Sequence, residues 1–239
     1  LLALLAEAHL PAKNVAELLH ATTVGSNAVL AQGGARTGLV TTQGFRDVLE
    51  IRDLRMPRLY DQTWTQPPPL VPRRWRTEVL ERTRGTGEIA TPLDEASVRA
   101  AIKFLLDEGI ESLAVCLLNA HANGLHESRI GAIAAEMAPK LPVSLSHLVL
   151  PQISEYPRTS STVINAYVLP VVSKYLARLR QGLDDAGIAA PIGVMQSNGG
   201  AVAPAVAARE PVRTILSGPA GGAVGAVRLA ERLGIADVL

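Results

Sequence analysis

The alternation between residues 93 and 150 limits most strongly what this chain can become. "LDEASVRAAIKFLLDEG" carries Val98, Ala101, Ile102 and Leu105 at helical spacing, with Asp94 placed to cap the start and Gly109 to stop it. "IESLAVCLL" is a run of strand length, "HESRIGAIAAEMAPKL" returns to helical spacing, and "PVSLSHLVL" reads as a further strand. Strands parted by amphipathic helices need crossover connections, so a parallel or mixed sheet covered by helices follows. The fold class is α/β.

The flanks extend this rhythm. Leu1 to His20 suits a helical pair broken at Pro11, and "NAVLAQGGARTGLVTTQGF" reads as helix, turn and strand. "FRDVLEIRDL" offers Phe45, Val48, Leu49 and Ile51 to one side of a helix. The proline-rich stretch from Tyr60 to Arg74 reads as an extended connection. "TEVLERT" alternates like a strand and "RGTGEIATP" turns back from it. A long helix is expected from about Arg158 to Ala186, bent at Pro170, followed by strands at "PIGVMQS" and "VRTILS". The last residues, "GIADVL", resemble the start of another strand, and both ends read as internal to a longer protein.

Composition excludes several classes. Among 239 residues, 23 basic side chains face 22 acidic ones, so no electrostatic footprint for nucleic acid or an anionic membrane exists. Aromatic residues make up 3% of the chain, too few for a base-stacking platform. No run approaches the ~20 apolar residues that span a bilayer. Cys116 is the single cysteine, so no disulfide forms within the chain, which fits a reducing, cytoplasmic setting. No residue that would lower a thiol pKa stands beside Cys116, which weakens a nucleophilic role.

Three polar stretches are candidate sites, each with a plainer structural alternative. In "HATTVGSNA", Thr22 and Thr23 can bind phosphate oxygens or cap the following helix. "ISEYPRTSST" gathers Glu155, Tyr156, Arg158 and Thr159 before a long helix, where they can hold a polar substrate or serve as a capped helix start. Ser197, Asn198 and Gly199 follow a strand, where α/β sheets collect ligands, yet Asn-Gly is also turn chemistry. His121 and His126 flank a turn as a metal pair or, more simply, as surface-loop histidines; no H-E-x-x-H spacing occurs and no metal ligands are assigned.

"GPAGGAVGAVRLAERLG", from Gly218 to Gly234, invites a phosphate-loop reading and fails it. There is no Gly-Lys-Ser/Thr and no G-x-G-x-x-G. Gly218, Gly221, Gly222 and Gly225 instead have helical spacing, and Pro219 suits a first helical turn. Each glycine costs a helix about 1 kcal/mol relative to alanine, so a bare helix face needs a close neighbour to offset it.

Taken together, "HATTVGSNAVLAQGGARTGLVTTQGFRDVLEIRD", "SEYPRTSSTVINAYVLP", "MQSNGG" and "RTILSGPAGGAVGA" resemble the hydantoinase A / 5-oxoprolinase family. The resemblance implies part of an actin-like ATPase (ribonuclease H-like) lobe with an inserted α/β subdomain. On that basis residues 1–65 belong to the first lobe, 66–150 form the insertion, and 151–239 complete the lobe and end in the interlobe connecting helix. It implies an N-methylhydantoinase-like enzyme, using ATP and Mg²⁺ to open a cyclic amide such as 5-oxoproline or a hydantoin. Phosphorylating the poorly electrophilic lactam carbonyl would create a leaving group.

Two alternatives accompany that reading: a subunit of an ATP-dependent acetone-type ketone carboxylase, and a non-catalytic remnant. The family's two Asp-x-Gly-Gly-Thr phosphate hairpins are absent from the sequence, so they are expected on either side of it, with no tight ATP or Mg²⁺ binding by this stretch alone. Gly25-Ser26 stands where members more often have Ala-Thr. Thr22, Thr23, Asn27, Tyr156, Arg158, Thr159, Ser197, Asn198 and Gly199 are carried over as residues around a substrate or nucleotide cleft. Glu155 is carried over as the catalytic base, and the four glycines as an interlobe hinge. A small cyclic amide, a second lobe and a hydantoinase B-type subunit are the implied partners.

Overall fold

The computed structural model describes residues 2–53, 60–61 and 63–237. In chain order the elements are α1 (Leu2–Glu7), β1 (Leu18–His20), α2 (Val24–Leu30), β2 (Thr37–Thr42), α3 (Val48–Ile51), β3 (Arg76–Val79), β4 (Arg82–Thr83) and β5 (Ile89–Thr91). There follow α4 (Glu95–Asp107), β6 (Ser112–Cys116), α5 (Leu125–Met137), β7 (Val143–Leu145), α6 (Ser146–Val149) and α7 (Glu155–Asp185). Last come β8 (Ile192–Met195), β9 (Ala201–Val202), α8 (Pro204–Arg209) and α9 (Ser217–Leu233).

Contacts divide the chain into two compact units, Gly34–Pro170 and a discontinuous one built from Leu1–Gly33 and Val171–Leu239. In the continuous unit the parallel sheet runs β3-β2-β6-β7. β2 and β6 pair from Thr37↔Ser112 to Thr41↔Cys116. Both are buried on both faces, as central parallel strands are. Successive residues therefore serve opposite layers. Val40, Leu113 and Val115 pack with Val98, Ile102 and Leu105 of α4 and with Ile130 and Ile133 of α5. Leu39, Ala114 and Cys116 pack with Leu49, Val163 and Ala166.

α4 forms as its sequence requires: Asp94 Oδ1 accepts the Ala96 amide at 2.9 Å, the four expected apolar residues are buried, and Gly109 supplies a positive φ after the helix. At the other end of the unit, Ala35 N donates to the Tyr167 carbonyl at 2.9 Å, and Gly34 lies so close beneath the Tyr167 ring that a Cβ there would overlap it. The chain thus enters and leaves this unit at one place.

The expected boundaries at 65/66 and 150/151 do not coincide with these units. β2 is hydrogen-bonded between β3 and β6, which draws residues 34–65 in with the strands that follow. The first half of α7 adds Val163 and Ala166 to the same core.

In the discontinuous unit, β1 pairs in parallel with β8 (Leu18↔Ile192 to His20↔Val194), and β8 pairs antiparallel with β9. α8 and α9 pack on β8. Four local expectations are corrected. The second helix expected before His20 is β1, because β8 offers it a parallel edge. Strand "TEVLERT" divides into β3 and β4, which enter different sheets. "PVSLSHLVL" is a strand only to Leu145; the Glu127 carboxylate then accepts Ser146 Oγ at 2.6 Å and His147 N at 2.9 Å, turning the chain into α6. "VRTILS" begins as a 3-10 turn, Pro211–Thr214, and not as a strand.

α7 starts at Glu155, three residues earlier than expected, and contains Pro170. Of the strand expected at the end, residues 234–237 form none and 238–239 lie outside the described residues. Leu54 and Gln62, within the expected α3 region and the proline-rich connection, also lie outside them.

Candidate functional site

The candidate residues fall into two groups, one in each unit. In the discontinuous unit, three features meet: the turn after β1, the loop after β8 and the start of α9. Thr22 N donates to Ser217 Oγ at 3.2 Å, and Ser217 Oγ donates to the Thr22 carbonyl at 3.1 Å. Thr22 Oγ1 accepts the amide of Val24, and Asn27 Nδ2 donates to Thr23 Oγ1. Ser197 Oγ donates to the Arg213 carbonyl at 2.9 Å and accepts Leu216 N at 3.1 Å. Asn198 Oδ1 accepts Gly200 N at 2.9 Å, and Gly199 has φ +84°. The segment 196–200 is thus the hairpin turn joining β8 to β9, using the turn chemistry that Asn-Gly offers.

α9 divides its glycines. A Cβ on Gly218 would meet Thr23 at 3.4 Å, and one on Gly221 would meet Ala21 at 3.3 Å, so both glycines permit close packing within the unit. Gly222 and Gly225 have nothing within 4 Å. Leu229 and Leu233 continue that open side at helical spacing and are 59% and 62% exposed.

Beside this group lies a pair that the sequence did not single out. His20, at the end of β1, stacks on Tyr175 with ring centroids 5.7 Å apart, and Tyr175 Oη lies 2.8 Å from His20 Nε2. Burial holds the His20 imidazole below its ordinary pKa of 6.5.

The "EYPRT" residues lie in the continuous unit and split inward and outward. Arg158 is 1% exposed and donates to the carbonyls of Gln152 and Leu117, each at 2.8 Å, and to His121 Nδ1 at 3.1 Å. Thr159 Oγ1 sits 3.1 Å from Cys116 Sγ. Burial pushes the Cys116 thiol pKa up, so the thiol does not stand ready as a nucleophile. Arg158 and Thr159 therefore hold the strand ends together, while Glu155 and Tyr156 face a pocket of about 460 Å³. That pocket lies beyond the carboxyl ends of β2 and β6, where Phe45, Val48 and Leu118 also line it.

Two buried carboxylate–histidine pairs stand nearby in sequence to the same strand ends. Glu81 Oε2 accepts His126 Nδ1 at 2.8 Å, and Glu81 also accepts the Thr42 hydroxyl. Glu127 Oε2 accepts His147 Nδ1 at 2.7 Å, while its Oε1 accepts Leu117 N at 2.9 Å. His126 is accordingly neither a surface-loop residue nor half of a metal pair with His121. It is buried on Glu81. Among the described residues, no group of three or more His, Cys, Asp or Glu side chains could hold a metal ion. No helix among them is long and apolar enough to cross a membrane.

Comparison with known proteins fits this architecture. The family model described as the hydantoinase/oxoprolinase N-terminal region matches residues 1–138, and that described as hydantoinase/oxoprolinase matches residues 158–239. The caprolactamase alpha subunit of Pseudomonas jessenii is 36% identical over 96% of the chain and 34% of its own length. The 5-oxoprolinase of Saccharomyces cerevisiae is 34% identical over 89% of the chain and 18% of its own. Among solved structures, the ATP-dependent caprolactamase from Pseudomonas jessenii superposes with a TM-score of 0.87 at 35% identity, over 98% of this chain and 35% of that one. A nucleotide-free acetone carboxylase superposes with a TM-score of 0.81 at 29% identity, over 90% of this chain and 32% of that one. The chain thus spans about a third or less of the length of these relatives.

Proposed function

Because the chain belongs to the hydantoinase/oxoprolinase family, we propose that it is part of an ATP-dependent enzyme that activates the carbonyl group of a small amide or ketone. The observation that carries this is the likeness to the ATP-dependent caprolactamase along nearly the whole chain. Ring opening of 5-oxoproline or a hydantoin, the main expectation from sequence, is one form of that chemistry. Carboxylation of a ketone is the other, and the match to acetone carboxylase supports it. The relatives favour this wider reading, which includes the carboxylase, over lactam hydrolysis alone.

The mixed α/β units serve in this proposal as part of an actin-like lobe. Among the described residues no group of three or more His, Cys, Asp or Glu side chains could hold a metal ion, so no metal ligand is assigned here. ATP and Mg²⁺ are proposed to be held by other parts of the enzyme, and no step is placed on residues here. Thr22, Thr23, Asn27, Ser197, Asn198 and Gly199 are proposed as a polar surface toward the nucleotide or substrate, and Glu155 with Tyr156 as a substrate contact. The open side of α9 is proposed as the hinge face toward a second lobe, a part of the enzyme belonging to the two-thirds of the relatives' length that this chain does not match. A hydantoinase B-type subunit and a cytoplasmic setting complete the proposal.

The test uses the full-length protein with its partner subunits. ATP turnover is measured with 5-oxoproline, hydantoin, 2-pyrrolidinone, or acetone with bicarbonate. Stimulated turnover with a ring-opened product establishes the hydrolase, and turnover with a carboxylated product establishes the carboxylase. No stimulation by any of them rejects the proposal.

A further inference from the structure

The pocket at the carboxyl ends of β2 and β6 has a composition that selects among carbonyl compounds. Its volume of about 460 Å³ is within the usual range for small-molecule sites. Phe45, Val48, Ile51, Leu118 and Pro157 give it apolar walls, and Tyr156 adds a ring with a polar tip. Among the described residues, three charged ones line it: Arg52, Asp53 and Glu155.

The charges are not equivalent. Arg52 is held in place. Its guanidinium donates to the Pro67 carbonyl, and its backbone, at φ 58° and ψ −143°, occupies a region that normally only glycine enters. Neither Asp53 nor Glu155 has a hydrogen-bond or ion-pair partner among the described residues. Among the described residues, the lining therefore carries two carboxylates without a partner against one anchored cation. A second anion brought beside them meets like charge, which costs affinity even where water screens part of it. An uncharged ring has no such cost and gains by covering Phe45, Val48 and Leu118.

We propose that this pocket is the binding site for a small uncharged carbonyl compound with a hydrocarbon body, a cyclic amide or a ketone, and that Asp53 and Glu155 exclude carboxylated analogues. This rests on the reading of the enzyme as one acting on such carbonyl groups. Arg52 offers N–H donors to the carbonyl oxygen, and Glu155 can accept an amide N–H where the ligand has one.

The matched probes are 2-pyrrolidinone and 5-oxoproline, which share one ring and differ by a carboxylate; cyclopentanone is the ketone arm. Binding is measured calorimetrically to the full-length protein in the absence of ATP. The expected result is at least tenfold tighter binding of 2-pyrrolidinone or cyclopentanone than of 5-oxoproline. Asp53→Asn combined with Glu155→Gln should reduce that preference at least tenfold, mainly by improving 5-oxoproline. Val48→Trp should abolish binding of all three by filling the pocket. Circular dichroism and the melting midpoint establish that each variant is folded, and Leu118→Phe is the second filling variant should Val48→Trp unfold.

Equal or tighter binding of 5-oxoproline, no binding of any probe, or a preference untouched by neutralisation would each overturn the assignment. Intact binding preference with no ATP-coupled turnover of any carbonyl compound would instead overturn only the proposed function.

Discussion

At the scale of single residues, the polar side chains that look most like ligand binders divide by burial. Arg158 and Thr159 face inward, and the arginine's Nη1 and Nη2 donate to the backbone carbonyls of Gln152 and Leu117. Glu127 was not legible as a centre of the fold, although it is fully buried and accepts bonds from Leu117, Ser146 and His147. Its sequence neighbourhood, "LHESR", looks like an ordinary helix start, because its partners lie on the exit of β6 and the entry to α6. His20 carries a titration prediction. Its folded pKa is depressed by burial, so above pH 6.5 the imidazole is neutral in both folded and unfolded chains. As pH falls below 6.5 the unfolded chain takes up the proton first, and stability is lost toward the lower folded pKa. Thermal midpoints at pH 7.5 and 5.5 should therefore differ more for the wild type than for His20→Phe, which keeps a ring against Tyr175. Equal differences would mean that His20 does not contribute.

Elements were legible where local signals agreed with tertiary demand. α4 had its cap, stripe and stop in one stretch, and β6 its apolar run between helices. β1 was not legible, because three residues carry no period and the strand they pair with, β8, is at Ile192–Met195. The four glycines of α9 were read correctly as helical, but their division was not, since only packing shows that Gly218 and Gly221 are covered and Gly222 and Gly225 are not. That division gives a mutational prediction. Gly222→Leu meets no atom, and it should raise intrinsic helix stability by roughly 0.5–1 kcal/mol. Chemical denaturation of this chain should show unchanged or higher stability. ATP turnover of the full-length enzyme should fall at least tenfold if the open face packs against a second lobe. Unchanged turnover would remove the hinge from the proposal.

For the whole molecule, the sequence conveyed the α/β class, while contacts cut the chain at places other than the expected 65/66 and 150/151. The proline-rich stretch from Tyr60 looked like a boundary, yet β2 before it and β3 after it are neighbours in one sheet. Contacts divide the chain instead at Gly34 and at Pro170, the latter inside α7. One of those positions was described earlier for its geometry, the hydrogen bond from Ala35 to Tyr167 that brings entry and exit together. It also bears on the order of folding. Pairing β1 with β8 while residues 34–170 were an open coil would require closing a long loop, at an entropic cost of roughly 4 kcal/mol. Once the continuous unit has folded, its ends are already side by side and that cost has vanished. The dependence should run one way. Glu127→Ala, which strips a buried carboxylate from the continuous unit, should lower hydrogen-exchange protection in β1 and β8 as well as in β2 and β6. Val194→Asp should expose β1 and β8 alone. On that dependence, the continuous unit would act as an internal chaperone for the two distant pieces of chain that flank it.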